Sequence, residues 1–204
     1  MLNRRTETGP RFHREAWLAA ALDVLAREGQ AKLRIDKLAR DLGVTKGSFY
    51  HHFKCRDDFV QKLLDFWSRA YTDLVIKEIS ALRISPQERV LALMRLNERE
   101  QLDRYDIAFR SWGAQEASVA EVVRKVDEAR HNFCRSLFSE MGFEGDELEF
   151  RTHAFLAYQA GKIRVFVPEA AEDVDARLQW AEGFFGNLCL PGDICVPQRE
   201  TTTV

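Results

Sequence analysis

Residues 42–53 read LGVTKGSFYHHF. A glycine one step into the stretch admits the left-handed backbone of a tight turn, and Val44 supplies an apolar plug behind it. The preceding residues, IDKLARDLG, repeat apolar side chains at Ile35, Leu38, Ala39 and Leu42, the spacing of a short helix closed by Gly43. Thr45 stands at the capping position of a following helix, in which Phe49 and Phe53 lie four apart and share one face. Two short helices joined in this way predict a helix-turn-helix. With the two phenylalanines turned inward, Lys46, Gly47, Tyr50 and His51 are left on the other faces, and Thr45, Lys46 and Ser48 sit at the helix N-terminus. The N-terminal end of such a helix is the part that enters the major groove of duplex DNA. Lys46 suits guanine or phosphate, Tyr50 and Arg56 suit phosphate, and the two histidines suit either bases or backbone.

Working outward, RFHREAWLAAALDVLAREG places Trp17, Leu18, Ala21, Leu22 and Leu25 on one stripe and predicts a helix ended by Gly29. A long helix is expected from Asp57, with Phe59, Leu63, Phe66 and Ala70 at helical spacing. Ser85-Pro86-Gln87-Glu88 combines a capping serine, a proline at the first helical position and a glutamate three residues after the cap. Helices follow over 89–100, 107–115 (broken by Gly113), 117–142, 147–166 and 175–188. No strand alternation or internal repeat is found. The expected fold is all-α, of about nine helices: an N-terminal three-helix headpiece over 1–56, a helical body over 57–190 and a polar, proline-containing tail over 191–204.

Hydrophobic residues make up 46% and charged residues 30% of the 204, a packed globular composition. Residues 1–56 hold twelve Lys and Arg against six Asp and Glu, while the remainder is net acidic; the whole chain is −2. A basic front on an acidic body fits a polyanionic partner for the headpiece alone. No apolar run reaches the roughly 18 residues of a membrane span. The four cysteines, Cys55, Cys134, Cys189 and Cys195, form no close pair, and no signal-peptide stretch is evident, so reduced thiols and a cytoplasmic location are expected. Neither a phosphate loop, a nucleophile elbow nor a spaced metal cluster is present. Asp57-Asp58 is accounted for by the helix macrodipole. The expectation is therefore no enzyme, no catalytic residues, no cofactor and no metal.

LARDLGVTKGSFYHHFKCRDDFVQKLL resembles the signature of the TetR family of transcriptional regulators over roughly residues 12–65. By that resemblance Thr45, Lys46, Gly47, Ser48, Tyr50, His51 and His52 fall on a recognition helix, and Arg56 falls where a basic family residue holds a phosphate. Two positions depart from the pattern. Arg34 stands where Ser or Thr caps the second helix, and a phosphate contact is its expected compensation. Cys55 replaces the serine before the fourth helix. The resemblance further implies a ligand-responsive repressor that binds a palindromic double-stranded operator as a homodimer. Dimers of the family pair through their last two long helices, here about 147–166 and 173–189, which carry Phe150, Ala154, Phe155, Tyr158, Ile163, Leu178, Trp180, Ala181, Phe184, Phe185 and Leu188.

A small-molecule effector is implied in the same way, held among the helices of the body. Candidate lining residues are Trp67, Tyr71, Tyr105, Phe109, Trp112, Phe133, His153 and Tyr158, since rings line a cavity as readily as they fill a core. Arg110, His131, Arg135 and His153 are polar groups near these aromatics. The competing reading is a helical interaction protein whose headpiece no longer binds DNA; Arg34, Lys46 and Arg56 weigh against it.

Overall fold

The computed structural model describes residues 10–102, 104–161, 180–181 and 183–185. Among them are nine α-helices and no strand: α1 (Pro10–Glu28), α2 (Ile35–Asp41), α3 (Lys46–His52), α4 (Arg56–Ser68), α5 (Leu74–Ser80), α6 (Pro86–Glu100), α7 (Asp106–Gly113), α8 (Ala117–Glu140) and α9 (Gly145–Gly161). The all-α expectation holds. Of the helix expected over 175–188, residues 180–181 and 183–185 are helical and the others lie outside the described residues, as do the tail and residues 162–166.

Local chemistry ends these helices where the sequence indicates. After α2, Gly43 takes φ 67°, its N–H bonds to the Arg40 carbonyl at 3.1 Å, and the Val44 N–H reaches the Ala39 carbonyl at 2.9 Å. That pair of bonds is a Schellman closure. Ser85 and Glu88 form a full capping box: the Glu88 N–H donates to Ser85 Oγ at 3.2 Å, and Glu88 Oε2 accepts from the Ser85 N–H at 2.8 Å. Gly113 has a different task. A Cβ there would lie 3.2 Å from the Ala120 Cα, so the glycine permits close approach of the first turn of α8.

Two expectations are corrected. Thr45 occupies the cap position of α3 with an extended backbone, but its side chain caps nothing; only its carbonyl accepts, from the Ser48 N–H at 3.1 Å. Cys55, standing where the family pattern has serine, caps α4 through its sulfur, which accepts from the Asp58 N–H at 3.4 Å, while Asp58 Oδ2 accepts from the Lys54 N–H at 2.9 Å. The helix beginning at residue 56 is not a uniform α-helix, because residues Arg69–Asp73 form a π turn between α4 and α5. A π turn shifts the backbone hydrogen-bond register and disturbs local carbonyl pairing. Arg130 fits this defect. It donates to the Tyr71 carbonyl at 3.3 Å and Thr72 Oγ1 at 3.1 Å while ion-paired to Asp106.

Packing groups the chain into two compact units. The first comprises the residues up to Glu78 with Gln101–Arg130, and the second comprises Ile79–Glu100 with the residues from His131 onward. The first unit has one core. Trp17, Leu22 and Leu25 of α1 join Leu38, Phe49, Phe53 and Phe59, and continue to Leu63, Trp67, Phe109, Trp112 and Val119. The headpiece is thus packed on α4, α7 and the start of α8 rather than standing as an isolated three-helix body. In the second unit Val90, Met94, Leu137, Phe138, Leu148 and Phe155 form the core, with Phe185.

Candidate nucleic-acid interface

The rear of α3 is fastened by rings. Phe49 and Phe53 are buried, with centroids 4.9 Å apart, and Phe49 meets Trp17 at 5.4 Å and Phe59 at 5.2 Å in edge-on contacts. Such pairs are worth about 0.5–1.5 kcal/mol each beyond their buried area. This packing fixes which face of a seven-residue helix points outward. On that face Thr45, Lys46, Gly47 and His51 are exposed, Tyr50 is 61% exposed, and Ser48 and His52 are half-buried.

Arg34, Lys46, Tyr50 and Arg56 line a single shallow cleft of about 400 Å³ floored by Leu33 and Ile35. Arg34 enters it from the position preceding α2, Lys46 and Tyr50 from α3, and Arg56 from the first turn of α4. Four of the nine sequence-predicted contact residues therefore converge from three helices. Thr45, Gly47, Ser48, His51 and His52 stand outside the cleft lining, along α3 itself. Gln30, Ala31 and Asp36, which the sequence pattern does not single out, complete the cleft lining. Asp36 is held below the usual carboxylate range, first by its own backbone N–H and then by the nearby charges of Arg34 and Lys46. Its salt bridge to Arg34, at 3.4 Å, is open to solvent and weak. Arg34 can exchange that partner for a phosphate at little cost.

The candidate effector residues divide between the two units. Trp67, Tyr71, Tyr105, Phe109 and Trp112 belong to the core of the first, where Trp67 stacks on Phe109 at 4.2 Å and Tyr71 meets Tyr105 edge-on at 4.9 Å. Burial pushes the Tyr105 hydroxyl well above its ordinary value, and it donates to Asp23 at 3.1 Å. Trp67 Nε1 is buried and finds no acceptor among the described residues. Phe133, His153 and Tyr158 belong to the second unit, with Phe133 and Tyr158 packed on its core and His153 exposed. Arg110 and Arg135 face outward into ion pairs, with Asp127 at 2.5 Å and with Glu149 at 2.7 Å.

Comparison with known proteins follows the same outline. Residues 18–63 match the family model described as bacterial regulatory proteins, tetR family. AibR, solved in complex with isovaleryl coenzyme A and operator DNA, superposes with TM-score 0.65 at 16% identity, covering 84% of this chain and 97% of its own. A proposed transcriptional regulator from Saccharomonospora viridis, solved with choline, gives TM-score 0.70 at 16% identity over 87% and 97% of the two chains. A TetR transcription regulator from Haloarcula marismortui gives 0.61 at 19% identity over 86% and 95%. At these identities the likeness to the solved structures is one of fold, and the tetR-family match is confined to residues 18–63. No helix among the described residues is long and apolar enough to cross a membrane.

Proposed function

We propose that this protein is a transcriptional regulator that binds a palindromic DNA operator as a homodimer, with α3 as its recognition helix. The observation that carries this reading is the convergence of Arg34, Lys46, Tyr50 and Arg56 on one cleft beside a helix whose back is fixed by Phe49 and Phe53. Arg34, Tyr50 and Arg56 then hold phosphates, which sets the register, and Lys46 with Thr45, Ser48, His51 and His52 meets base edges or sugar-phosphate. Gly47 presents no side chain where the groove wall comes close.

A single headpiece reads too few base pairs for useful discrimination, so a second copy is required, with the two recognition helices about 34–36 Å apart or a little more. Phe150 of α9 is 63% exposed, and Trp180 and Phe184 are 83% and 49% exposed. Large rings left in water on the second unit are the apolar surface a partner copy would cover. The domain roles follow: 1–56 for DNA, 57–190 for effector and dimer, and 191–204 as a tail.

The effector reading rests on the first unit's core. One continuous apolar core runs from Phe49 of α3 through Phe59 and Leu63 to Trp67, Phe109 and Trp112, so a molecule seated against Trp67 and Tyr71 bears directly on the helix that carries Arg56. The unpaired Trp67 N–H supplies a donor for it. Such a ligand releases DNA only by binding the DNA-incompetent state more tightly, tenfold in affinity for each 1.4 kcal/mol or so of difference. Two proteins of this fold have been solved with isovaleryl coenzyme A and with choline, which supports a small-molecule effector here.

Selection of bound sequences from a random duplex pool tests the whole proposal. Enrichment of an inverted repeat supports it. Absence of enrichment at low salt removes it and leaves the helical interaction protein.

A further inference from the structure

In the second unit, helices α8 and α9 bring together three groups that lie apart in the chain. Glu149 and His153 are four residues apart on α9 and so share one face, and His131 approaches from α8. Their candidate ligand atoms all lie within 4.8 Å of one another. The two imidazoles meet edge-on, with centroids 5.2 Å apart at 61°. His153 Nδ1 lies 2.8 Å from the Glu149 main-chain oxygen. A carbonyl oxygen only accepts, so this bond places the proton on Nδ1 and leaves Nε2 with a free lone pair. Arg135 Nε donates to Glu149 Oε1 at 2.7 Å, which orients the carboxylate and leaves its second oxygen available.

Two imidazoles and a carboxylate, of which His153 and Glu149 are held by an outer hydrogen bond and an ion pair, form the donor set of a three-residue zinc-type centre. Tetrahedral bonds of about 2.1 Å require ligand atoms roughly 3.4 Å apart, so a spread of up to 4.8 Å must contract by up to about 1.4 Å. Nitrogen and carboxylate donors of this kind favour Zn²⁺ over the hard, all-oxygen ions Mg²⁺ and Ca²⁺. No spacing rule reveals the site in the sequence, because His131 is supplied by a different helix.

We propose that His131, Glu149 and His153 bind one divalent cation of the zinc class, tying α8 to α9 and leaving one coordination position open to water or an external donor. The site does not depend on the DNA-binding reading.

The test uses the full chain, stripped with chelator and titrated calorimetrically with ZnCl₂, beside His131→Ala, His153→Gln and Glu149→Gln. The wild type is expected to bind one ion at this site. Each histidine substitution should lower that affinity at least tenfold, and zinc should raise the unfolding midpoint of the wild type but not of His153→Gln. Because His153 is exposed, that variant keeps the fold, and its metal-free unfolding midpoint should match the wild type. Co²⁺ in place of Zn²⁺ should give a visible band without thiolate charge transfer. Failure of the wild type to bind, equal binding by the histidine variants, or a thiolate spectrum would each overturn the proposal.

Discussion

Phe49 is buried against Trp17, Phe53 and Phe59, so its truncation removes contacts to α1, to α4 and to the end of its own helix at once. Phe49→Ala is expected to destabilise the protein by about 3–5 kcal/mol in denaturant unfolding. Lys46 and Arg56, on the opposite side, are exposed and contribute little to stability. Their replacement by alanine should leave unfolding within about 0.5 kcal/mol of the wild type. If Arg56 holds one phosphate, Arg56→Ala weakens all DNA sequences alike and reduces the slope of log affinity against log salt by about 0.9. An unchanged slope would remove the phosphate role. The inward or outward assignment of these side chains was legible in the four-residue spacing of Phe49 and Phe53. Thr45 shows the limit of such reading: the cap position is evident from the sequence, but whether the hydroxyl turns to the helix or away depends on a side-chain torsion that spacing does not encode.

At the scale of elements, Glu88 offers a pH-dependent test. Its carboxyl is held below the usual range by the Ser85 hydroxyl and then by the Ser85 N–H. A depressed folded-state value means that the capping contribution is present above the ordinary glutamate value of the unfolded chain and is lost as pH falls through the folded value. Wild type and Glu88→Gln should therefore differ in unfolding at pH 7 and converge in acid. Ser85→Ala, which removes the cap itself, should cost about 1 kcal/mol at neutral pH. The π turn is governed by Arg130, whose guanidinium serves Tyr71, Thr72 and Asp106 together. Arg130→Met strands a mostly buried Asp106 carboxylate and should destabilise by about 3 kcal/mol, with Asp106→Asn partly rescuing it in a double-mutant cycle. Helix ends were legible from Gly29, Gly43, Ser85 and Gly142, because capping is local chemistry. The π turn was not, since the apolar period over Phe59, Leu63 and Phe66 continues smoothly into it.

At the scale of the whole molecule, the exposed rings Phe150, Trp180 and Phe184 predict self-association. Sedimentation of the wild type should give a dimer, and Trp180→Glu with Phe184→Glu should shift it to monomer. The same pair should abolish operator binding although both residues lie far along the chain from α3. Retained binding by a monomer would remove the two-fold model.

The sequence alone determined an all-α chain with a helix-turn-helix near its amino end, most helix boundaries, and the outward residues of α3. Each follows from periodicity, capping or a glycine's freedom at positive φ, all of which act over a few residues. Only the tertiary structure decided that Arg34, Lys46, Tyr50 and Arg56 share one cleft, that the headpiece and the Trp67–Trp112 rings form one core, and that His131 meets Glu149 and His153. Those meetings depend on how separate helices pack, and close packing is set by the shapes of many side chains together rather than by any local repeat.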